Sequence, residues 1–276
     1  MAEIEKSPDN HVRGTEPASD LWAQLRRFTP ARIGLGRVGA SLPTHALLDF
    51  ELAHARARDA VHTPFDTIDL THKLEANGFR GPQIASSQAR NRMEYLLRPD
   101  LGRALDAASR ASLQTLGSKP ATLAVVIADG LSALAPTQHA IPCLHEMRAG
   151  LRNDWENVTV IVANQARVAL GDEIGEILHA EAVVVLIGER PGLSSPDSLG
   201  VYLTWAPRTG RTDADRNCIS NVRPEGLSYG EAARKLLYLL SEARRLQRSG
   251  IALKDDSESN EQLTDSSAPK PNQRPL

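Results

Sequence analysis

Hydrophobic and polar positions follow two different rhythms along this chain of 276 residues. In residues 21–104 the apolar positions recur at helical spacing, most clearly at Leu47, Leu48 and Leu52, which fit a period of 3.6 residues. A second helix is predicted to start near Asp66, and the stretch ASSQARNRMEYLLRPDLG predicts a third. The spacing therefore predicts a helical N-terminal domain over this range.

Further along the chain, short β-branched runs alternate with helical segments. Continuous Val, Ile and Leu runs are typical of strands buried on both faces, and they occur at Leu123–Ala128, Val158–Ala163 and Ala182–Gly188. Their alternation with helices predicts a Rossmann-like domain with a parallel sheet over residues 105–254, and the chain is assigned to the α/β class. Ligands of such sheets gather at the carboxyl ends of the strands, where we expect the functional site.

Both ends of the chain are polar and are predicted to be disordered tails, residues 1–20 and 255–276. They hold few large apolar side chains, so burial cannot offset the conformational entropy that ordering would cost. The folded part is therefore expected to consist of the two domains 21–104 and 105–254.

Composition and charge argue against several classes of protein. Lys and Arg number 32 against 34 Asp and Glu, so no excess of positive charge predicts binding to nucleic acid or to a membrane surface. The apolar runs are well short of the ~20 residues that cross a bilayer. Cys143 and Cys218 are too few for a disulfide scaffold and lack zinc-site spacing, which favours a reducing, cytoplasmic setting.

The letters of Gly34–Gly39, GLGRVG, match the GxGxxG dinucleotide fingerprint. That fingerprint needs a strand before it and a helix directly after it, and neither is predicted here, so a glycine turn packed closely on another residue is favoured over NAD binding. No HExxH or GxSxG motif is present, and no catalytic or metal-binding residue is predicted. A free-standing Rossmann-like enzyme that uses NAD or another nucleotide stays an alternative, and a scaffold subunit without a ligand is a third.

Three polar segments of the second half are not explained by the fold alone, because rigid polar loops usually position a ligand. RVALGDEIG, which contains Val168, follows a strand and opens a helix. LIGERPGLSSPDSLG runs from a buried strand into the charged pair Glu189 and Arg190, and TDADRNCISN is predicted to be a polar loop that holds Cys218. The opposing interpretation is that Glu189 and Arg190 form a surface ion pair and that Cys218 is a small buried apolar side chain.

These segments, together with ARIGLGRVGASLPT, HARARDAVH, YLLRPDLGR and SGIALKD, closely resemble the small (light) subunit of ethanolamine ammonia-lyase over essentially Leu21 to Asp255. That family belongs to an adenosylcobalamin-dependent carbon–nitrogen lyase that converts ethanolamine to acetaldehyde and ammonia by radical chemistry. The resemblance implies a larger partner subunit whose (β/α)8 barrel binds the substrate, with the cobalamin between the two subunits. It also implies a higher hetero-oligomer of paired subunits.

The resemblance implies that Val168, Glu189 and Cys218 contact the cobalamin. Corrin rings carry peripheral amides, to which the Glu189 carboxylate and the Val168 backbone can hydrogen-bond. Cys218 is expected to be a contact or a weak donor and not a cobalt ligand. No DxHxxG signature is present, which suits a cofactor whose own benzimidazole is the lower ligand. A cytoplasmic enzyme is expected, and the family is often enclosed in a bacterial microcompartment, for which the N-terminal tail is a candidate encapsulation segment.

Overall fold

The computed structural model describes every residue of 21–257 except 118–120. The predicted N-terminal tail, and residues 258–276 of the predicted C-terminal tail, lie outside the described residues. The chain divides into two compact units between Leu52 and Ala53. The domain limits inferred from the sequence pattern stay predictions.

A tight glycine turn is the main feature of the first unit. The elements of this unit are α1 (Leu21–Leu25), a 3₁₀ turn (Arg26–Phe28) and the first residues of α2 (Thr44–His62). Gly34, Gly36 and Gly39 all have positive φ, and a Cβ on Gly34 would overlap the Trp22 ring. Arg26 closes the turn, because its Nη1 donates to the carbonyl oxygen of Gly34 at 2.7 Å.

These glycines serve the turn and lack the surroundings of a dinucleotide site. In the described residues 29–43 no strand leads into the glycine pattern, and the next helix begins only at Thr44. The fingerprint needs a strand before it and a helix directly after it, so both elements that would hold a pyrophosphate are missing. The structure therefore supports the close-packing interpretation of this motif.

The second unit is a sandwich of three layers, with a sheet between two sets of helices. Its strands are β1 (Gln83–Ser86), β2 (Leu123–Ala128), β3 (Val158–Asn164), β4 (Ala182–Gly188), β5 (Leu199–Trp205) and β6 (Arg216–Val222). The helices after α2 are α3 (Thr67–Ala76), α4 (Arg92–Leu97), α5 (Ala107–Leu116), α6 (Leu134–Leu151), α7 (Leu170–Ile177) and α8 (Tyr229–Leu246). Across the sheet the order is β1-β3-β2-β4-β5-β6. Strands β1 to β4 pair in parallel, whereas β5 pairs antiparallel with both β4 and β6.

The predicted α/β class, with a helical N-terminal part before a Rossmann-like sheet, is confirmed. Strands β2 and β4 are buried along their whole length, as their continuous apolar runs predict. Their alternate side chains face two apolar cores, one formed with α3, α6 and α8 and the other with α5 and α7. The predicted start of α3 is also confirmed, because Asp66 caps it by accepting from the Asp69 N–H at 2.9 Å.

Two strands correct details of the predicted pattern. Strand β1 lies where the sequence pattern predicts the start of a helix. It is a short edge strand that pairs only with β3 and buries only Ala85, so no apolar run marks it in the sequence.

Strand β6 replaces the predicted polar loop around Cys218. Its buried residues are Arg216, Ile219 and Val222, three residues apart and interrupted by a register shift against β5, so the strand has neither a continuous apolar run nor a regular alternation. The sheet is therefore mixed at this end and not parallel throughout.

The strand order leaves a crevice between β2 and β4. Helix α6 connects β2 to β3 over one face of the sheet, and α7 connects β3 to β4 over the other face. The chain thus turns to opposite sides after β2 and β3, and the carboxyl ends of β2 and β4 lie at the switch point. Open α/β sheets bind their ligands at such a point.

Candidate functional site

A cavity of about 560 Å³ opens at the crevice between β2 and β4. Its walls come from the ends of these strands, the segment before α7 and neighbouring residues of α4, β5 and β6: Tyr95, Gly130, Leu131, Arg167, Val168, Ile187, Gly188, Glu189, Arg190, Tyr202 and Ser220. The structure thus brings Val168 and Glu189, which lie far apart in the sequence, to one cavity. Cys218 lies beside it, as the partner of Tyr202 in the β5–β6 ladder.

Glu189 is held at the cavity wall by hydrogen bonds from two sides. Its Oε2 accepts a hydrogen bond from the Ser198 hydroxyl and another from the Asn221 N–H at 3.2 Å. Gly200 leaves room for the other carboxylate oxygen, since a Cβ there would lie 3.1 Å from Oε1. Arg190 forms no ion pair with Glu189 among the described residues, so the surface ion-pair interpretation does not apply. The carboxylate is fixed in place and keeps acceptor capacity.

Val168 presents its backbone at the same cavity. Its N–H has no hydrogen-bond partner among the described residues, whereas its carbonyl oxygen accepts from the Gly171 N–H at 3.0 Å. A carbonyl oxygen has two lone pairs, so one stays free. Both groups that the sequence interpretation assigns to an amide partner are therefore available.

Cys218 is an exposed strand residue and not a buried apolar side chain. Its Sγ lies 3.3 Å from the Ser220 hydroxyl. Burial, with Cys218 as a hydrogen-bonding neighbour, raises the pKa of Tyr202, which therefore keeps its phenolic proton. The neighbouring strands thus present a thiol and two hydroxyl groups beside the cavity.

Asp129 and Arg92 link the end of β2 to α4 and to the segment before α7, and sequence reasoning missed both. Asp129, which follows β2, is 1% exposed; its Oδ1 accepts from the Ala166 N–H at 2.9 Å. Arg92 donates from Nη1 to Asp129 Oδ2 at 3.1 Å and to the Gly130 carbonyl oxygen at 2.8 Å. Burial raises the pKa of Asp129 to about 6, against the opposing effects of these partners. The available signal was an aspartate directly after a fully apolar strand, in the letters ADG.

Gly130 and Gly188 let the two strand ends approach each other closely. The Leu131 N–H donates to the Gly188 carbonyl oxygen at 2.9 Å. A Cβ on Gly130 would overlap that oxygen, and a Cβ on Gly188 would overlap the carbonyl oxygen of Ser132. Only glycine fits at these two positions without moving the backbone.

His139 has the surroundings of a catalytic histidine but lies away from the cavity. Its Nδ1 lies 2.9 Å from the Tyr229 hydroxyl and its Nε2 lies 3.3 Å from Asp197 Oδ2. Arg223 also donates to Asp197, at 2.6 Å. None of these four residues lines the cavity at the strand ends. The cluster links α6, α8 and the segments that follow β4 and β6.

Other kinds of site find little support in the part of the chain that the structure describes. A cavity of about 830 Å³ in the first unit contains none of the predicted site residues. No three His, Cys, Asp or Glu side chains among residues 21–117 and 121–257 lie together as a metal site would need. Among the described helices, none combines the length and apolar character that crossing a membrane requires.

Comparison with known proteins identifies the family. The family model for the ethanolamine ammonia-lyase light chain matches residues 19–254. The chain is 54% identical over 269 residues to the ethanolamine ammonia-lyase small subunit of Pseudomonas aeruginosa strain LESB58, which covers 95% of this chain and 96% of the relative. It is 56% identical over 244 residues to the small subunit of Ralstonia nicotianae, with 86% and 89% covered. For Xanthomonas campestris pv. campestris strain B100 the identity is 55% over 250 residues, with 88% and 91% covered. The chain therefore belongs to the ethanolamine ammonia-lyase light-chain family.

Proposed function

We propose that this subunit holds adenosylcobalamin at an interface with the large, substrate-binding subunit of the lyase. The observation that carries the proposal is the shared cavity at the switch point of the sheet. Val168 and Glu189 line it, and Cys218 lies on the adjacent strand. This chain positions the cofactor and excludes water from it, and the substrate chemistry belongs to the partner subunit.

The polar groups of the cavity suit the edge of a corrin ring. Glu189 offers a fixed acceptor, and the Val168 N–H offers a donor that has no hydrogen-bond partner among the described residues. Buried polar groups without partners are rare in folded proteins and call for one. Corrin amides carry both donors and acceptors and would satisfy this set.

Each residue has a distinct task toward the cofactor. Adenosylcobalamin supplies the radical chemistry of the deamination when it is bound. Glu189, braced by Ser198 and Asn221, accepts an amide N–H of the corrin edge, and the Val168 N–H donates to an amide oxygen. Asp129 keeps the Val168 segment in place through the Ala166 N–H. Cys218 makes a packing contact.

Cofactor titration of the assembled enzyme tests these tasks. Glu189→Ala removes a charge-assisted acceptor of about 1.5–3 kcal/mol, so the affinity for adenosylcobalamin should fall about 10- to 100-fold. Cys218→Ala should cost less and leave the absorption spectrum of the bound cobalt unchanged. Glu242→Ala is the matched control, because this α8 carboxylate pairs with Arg245 away from the cavity.

Two results would contradict the assignment of these tasks. One is wild-type affinity in Glu189→Ala, and the other is a changed cobalt spectrum in Cys218→Ala. The isolated subunit is expected to have no ammonia-lyase activity, and turnover by the rigorously pure chain would contradict the proposal as a whole. An NAD-dependent enzyme would act alone, and a pure scaffold would assemble without changing cofactor affinity.

The setting and assembly of the enzyme stay predictions. We expect a hetero-oligomer of paired small and large subunits in the cytoplasm, or enclosed in a bacterial microcompartment. Fusing residues 1–20 to a fluorescent protein in microcompartment-forming cells tests encapsulation, and a diffuse signal would contradict it.

A further inference from the structure

A second cavity, of about 410 Å³, lies beside the first and has a different chemical character. The two share Arg167, Val168 and Tyr202 as common walls. Four arginine side chains line the second cavity, against a single carboxylate, that of Asp213: Arg103, Arg167, Arg211 and Arg216. This wall is therefore rich in positive charge.

Two of these arginines are occupied by the fold. Arg216 forms a buried ion pair with Asp172 and donates to Asp213 Oδ1 at 2.9 Å. Arg211 donates to backbone carbonyl oxygens and has Asp215 Oδ1 at 3.4 Å from its Nη1. Their charges are balanced by these carboxylates, so they add little capacity to bind an anion.

The other two arginines have no carboxylate partner among the described residues. Arg103 is exposed at the cavity. The Arg167 guanidinium stacks on Tyr95, with 4.2 Å from Cζ to the ring centroid, and one of its nitrogens donates to the Tyr95 carbonyl oxygen at 3.3 Å. Its other terminal nitrogen, Nη1, has no hydrogen-bond partner among the described residues. A guanidinium that is held flat by stacking and has a terminal nitrogen left for a ligand is prepared to bind an oxyanion.

The backbone adds further donors at the same wall. The N–H groups of Val168 and Ala169 stand just before α7, line this cavity and have no acceptor in the described part of the chain. Free N–H groups at the start of a helix favour an anion. Two independent kinds of donor, guanidinium and backbone, thus face one space.

We propose that this second cavity binds a phosphate oxyanion through Arg103, Arg167 and the Ala169 N–H group. The inference rests on the proposed function, because a cofactor whose corrin edge lies in the first cavity carries a phosphodiester in its nucleotide loop. We assign that phosphodiester as the occupant.

The test compares ligands that differ in the phosphate. The assembled enzyme, without substrate, is titrated with adenosylcobalamin, with adenosylcobinamide phosphate, which keeps a phosphate group, and with adenosylcobinamide, which lacks it. The variants are Arg103→Gln and Arg167→Gln, with Arg167→Lys as a second variant that keeps the charge. Arg80→Gln is the matched control, an exposed arginine without a carboxylate partner among the described residues, near the amino end of β1.

We expect Arg167→Gln to weaken the two phosphate-bearing ligands about tenfold or more. Arg103→Gln should weaken them severalfold, because its charge is screened by solvent. The affinity for adenosylcobinamide should change little in either variant, and Arg80→Gln should match the wild type throughout. Equal weakening of all three ligands, or of none, would overturn the oxyanion site. The proposed function is contradicted by wild-type cofactor affinity in Glu189→Ala, a result that does not depend on the phosphate. The two proposals can therefore fail independently.

Inorganic phosphate distinguishes the cofactor's phosphodiester from a free anion. Competition against adenosylcobalamin, with no competition against adenosylcobinamide, is expected if the cofactor fills this cavity. Phosphate that still binds the wild-type enzyme saturated with adenosylcobalamin, and loses that binding in Arg103→Gln, would overturn the assignment of the occupant in favour of a free anion.

Discussion

The two halves of the sheet meet at β4 and are covered differently. In the parallel half, helices pack on both faces, and β2 and β4 have no exposed residue. In the antiparallel half, α8 packs on one face of β5 and β6, while the other face, with Tyr202 and Cys218, stays partly open. The halves therefore differ in how much sheet surface a ligand can reach.

This difference separates two tasks of the site. The parallel half ends in short segments that are fixed by Asp129, Gly130 and Gly188, and these form a rigid rim. The antiparallel half supplies a polar, accessible wall beside that rim. A broad ligand needs both parts of the site. The rim alone offers too little contact area, and the open sheet face alone does not fix the orientation of the ligand.

The largest effect is expected from a buried ion pair that joins the two halves, between α7 and β6. Arg216 and Asp172 form this pair, and each side chain is 2% exposed. Arg216→Met should lower the free energy of unfolding by about 3–5 kcal/mol, because it leaves a buried carboxylate without its partner. Urea unfolding measures the loss. The double variant Asp172→Leu/Arg216→Met should recover much of the lost stability. An unchanged free energy of unfolding in Arg216→Met alone would show that the ion pair does not stabilise the fold.

In the parallel half, Gly188→Ala is expected to cost about 3 kcal/mol. The new Cβ would overlap the Ser132 carbonyl oxygen, and only a shift of the backbone relieves that overlap. Gly230→Ala is the control: it lies in α8 with only Glu146 Oε2 near, at 3.9 Å, and should be neutral or stabilising. Equal unfolding free energies for the two variants would mean that the strand ends are less tightly packed than the structure indicates.

Asp129→Asn should change how stability depends on pH. Burial raises the pKa of Asp129 from 3.8 to about 6, so the folded state binds this proton more tightly than the unfolded state. The resulting stabilisation is fully present below about pH 4 and is lost as the pH rises through 6, a change of roughly 2–3 kcal/mol. Urea unfolding at pH 4, 5 and 7 should therefore show that the free energy of unfolding of the variant, relative to that of the wild type, increases with pH. The same difference at all three pH values would contradict the raised pKa.

The smallest effect on stability is expected at Gly200, which pairs with Ile187 in the sheet. A Cβ there would lie 3.1 Å from Glu189 Oε1 and from Tyr202 Cε2, and both side chains can yield. Gly200→Ala should therefore cost less than about 1 kcal/mol of unfolding free energy. It should still displace the carboxylate and weaken cofactor binding severalfold. Unchanged cofactor affinity would show that the position of Glu189 is not critical.

Burial on both faces made β2, β3 and β4 predictable from the sequence, because it requires continuous apolar runs. Strand β1 is a short edge strand and β6 is half polar, so neither has such a run, and both depend on neighbours for their strand form. The assignments at Val168, Glu189 and Cys218 came from family resemblance, and the switch-point rule gave only their general location.

The groups around these residues could not be read from the sequence. Arg167 meets Tyr95 across 72 residues of chain, and Ala166 meets Asp129 across 37. No periodicity or spacing carries information on such distant pairs. These pairs form only in the folded sheet, which fixes where each strand ends and which way the chain continues from it.

Strand β2 has a further consequence for how the chain is made. It pairs with β3 on one side and with β4 on the other. Leu123 can therefore complete its pairing only after both Val158 and Ala182 have been synthesised. Parallel pairing of this kind closes long loops and forms slowly. During synthesis the central strand therefore keeps an unpaired apolar edge until residue 188 has left the ribosome. The nascent chain is most prone to aggregation in that interval, and its core is completed only when most of the protein exists.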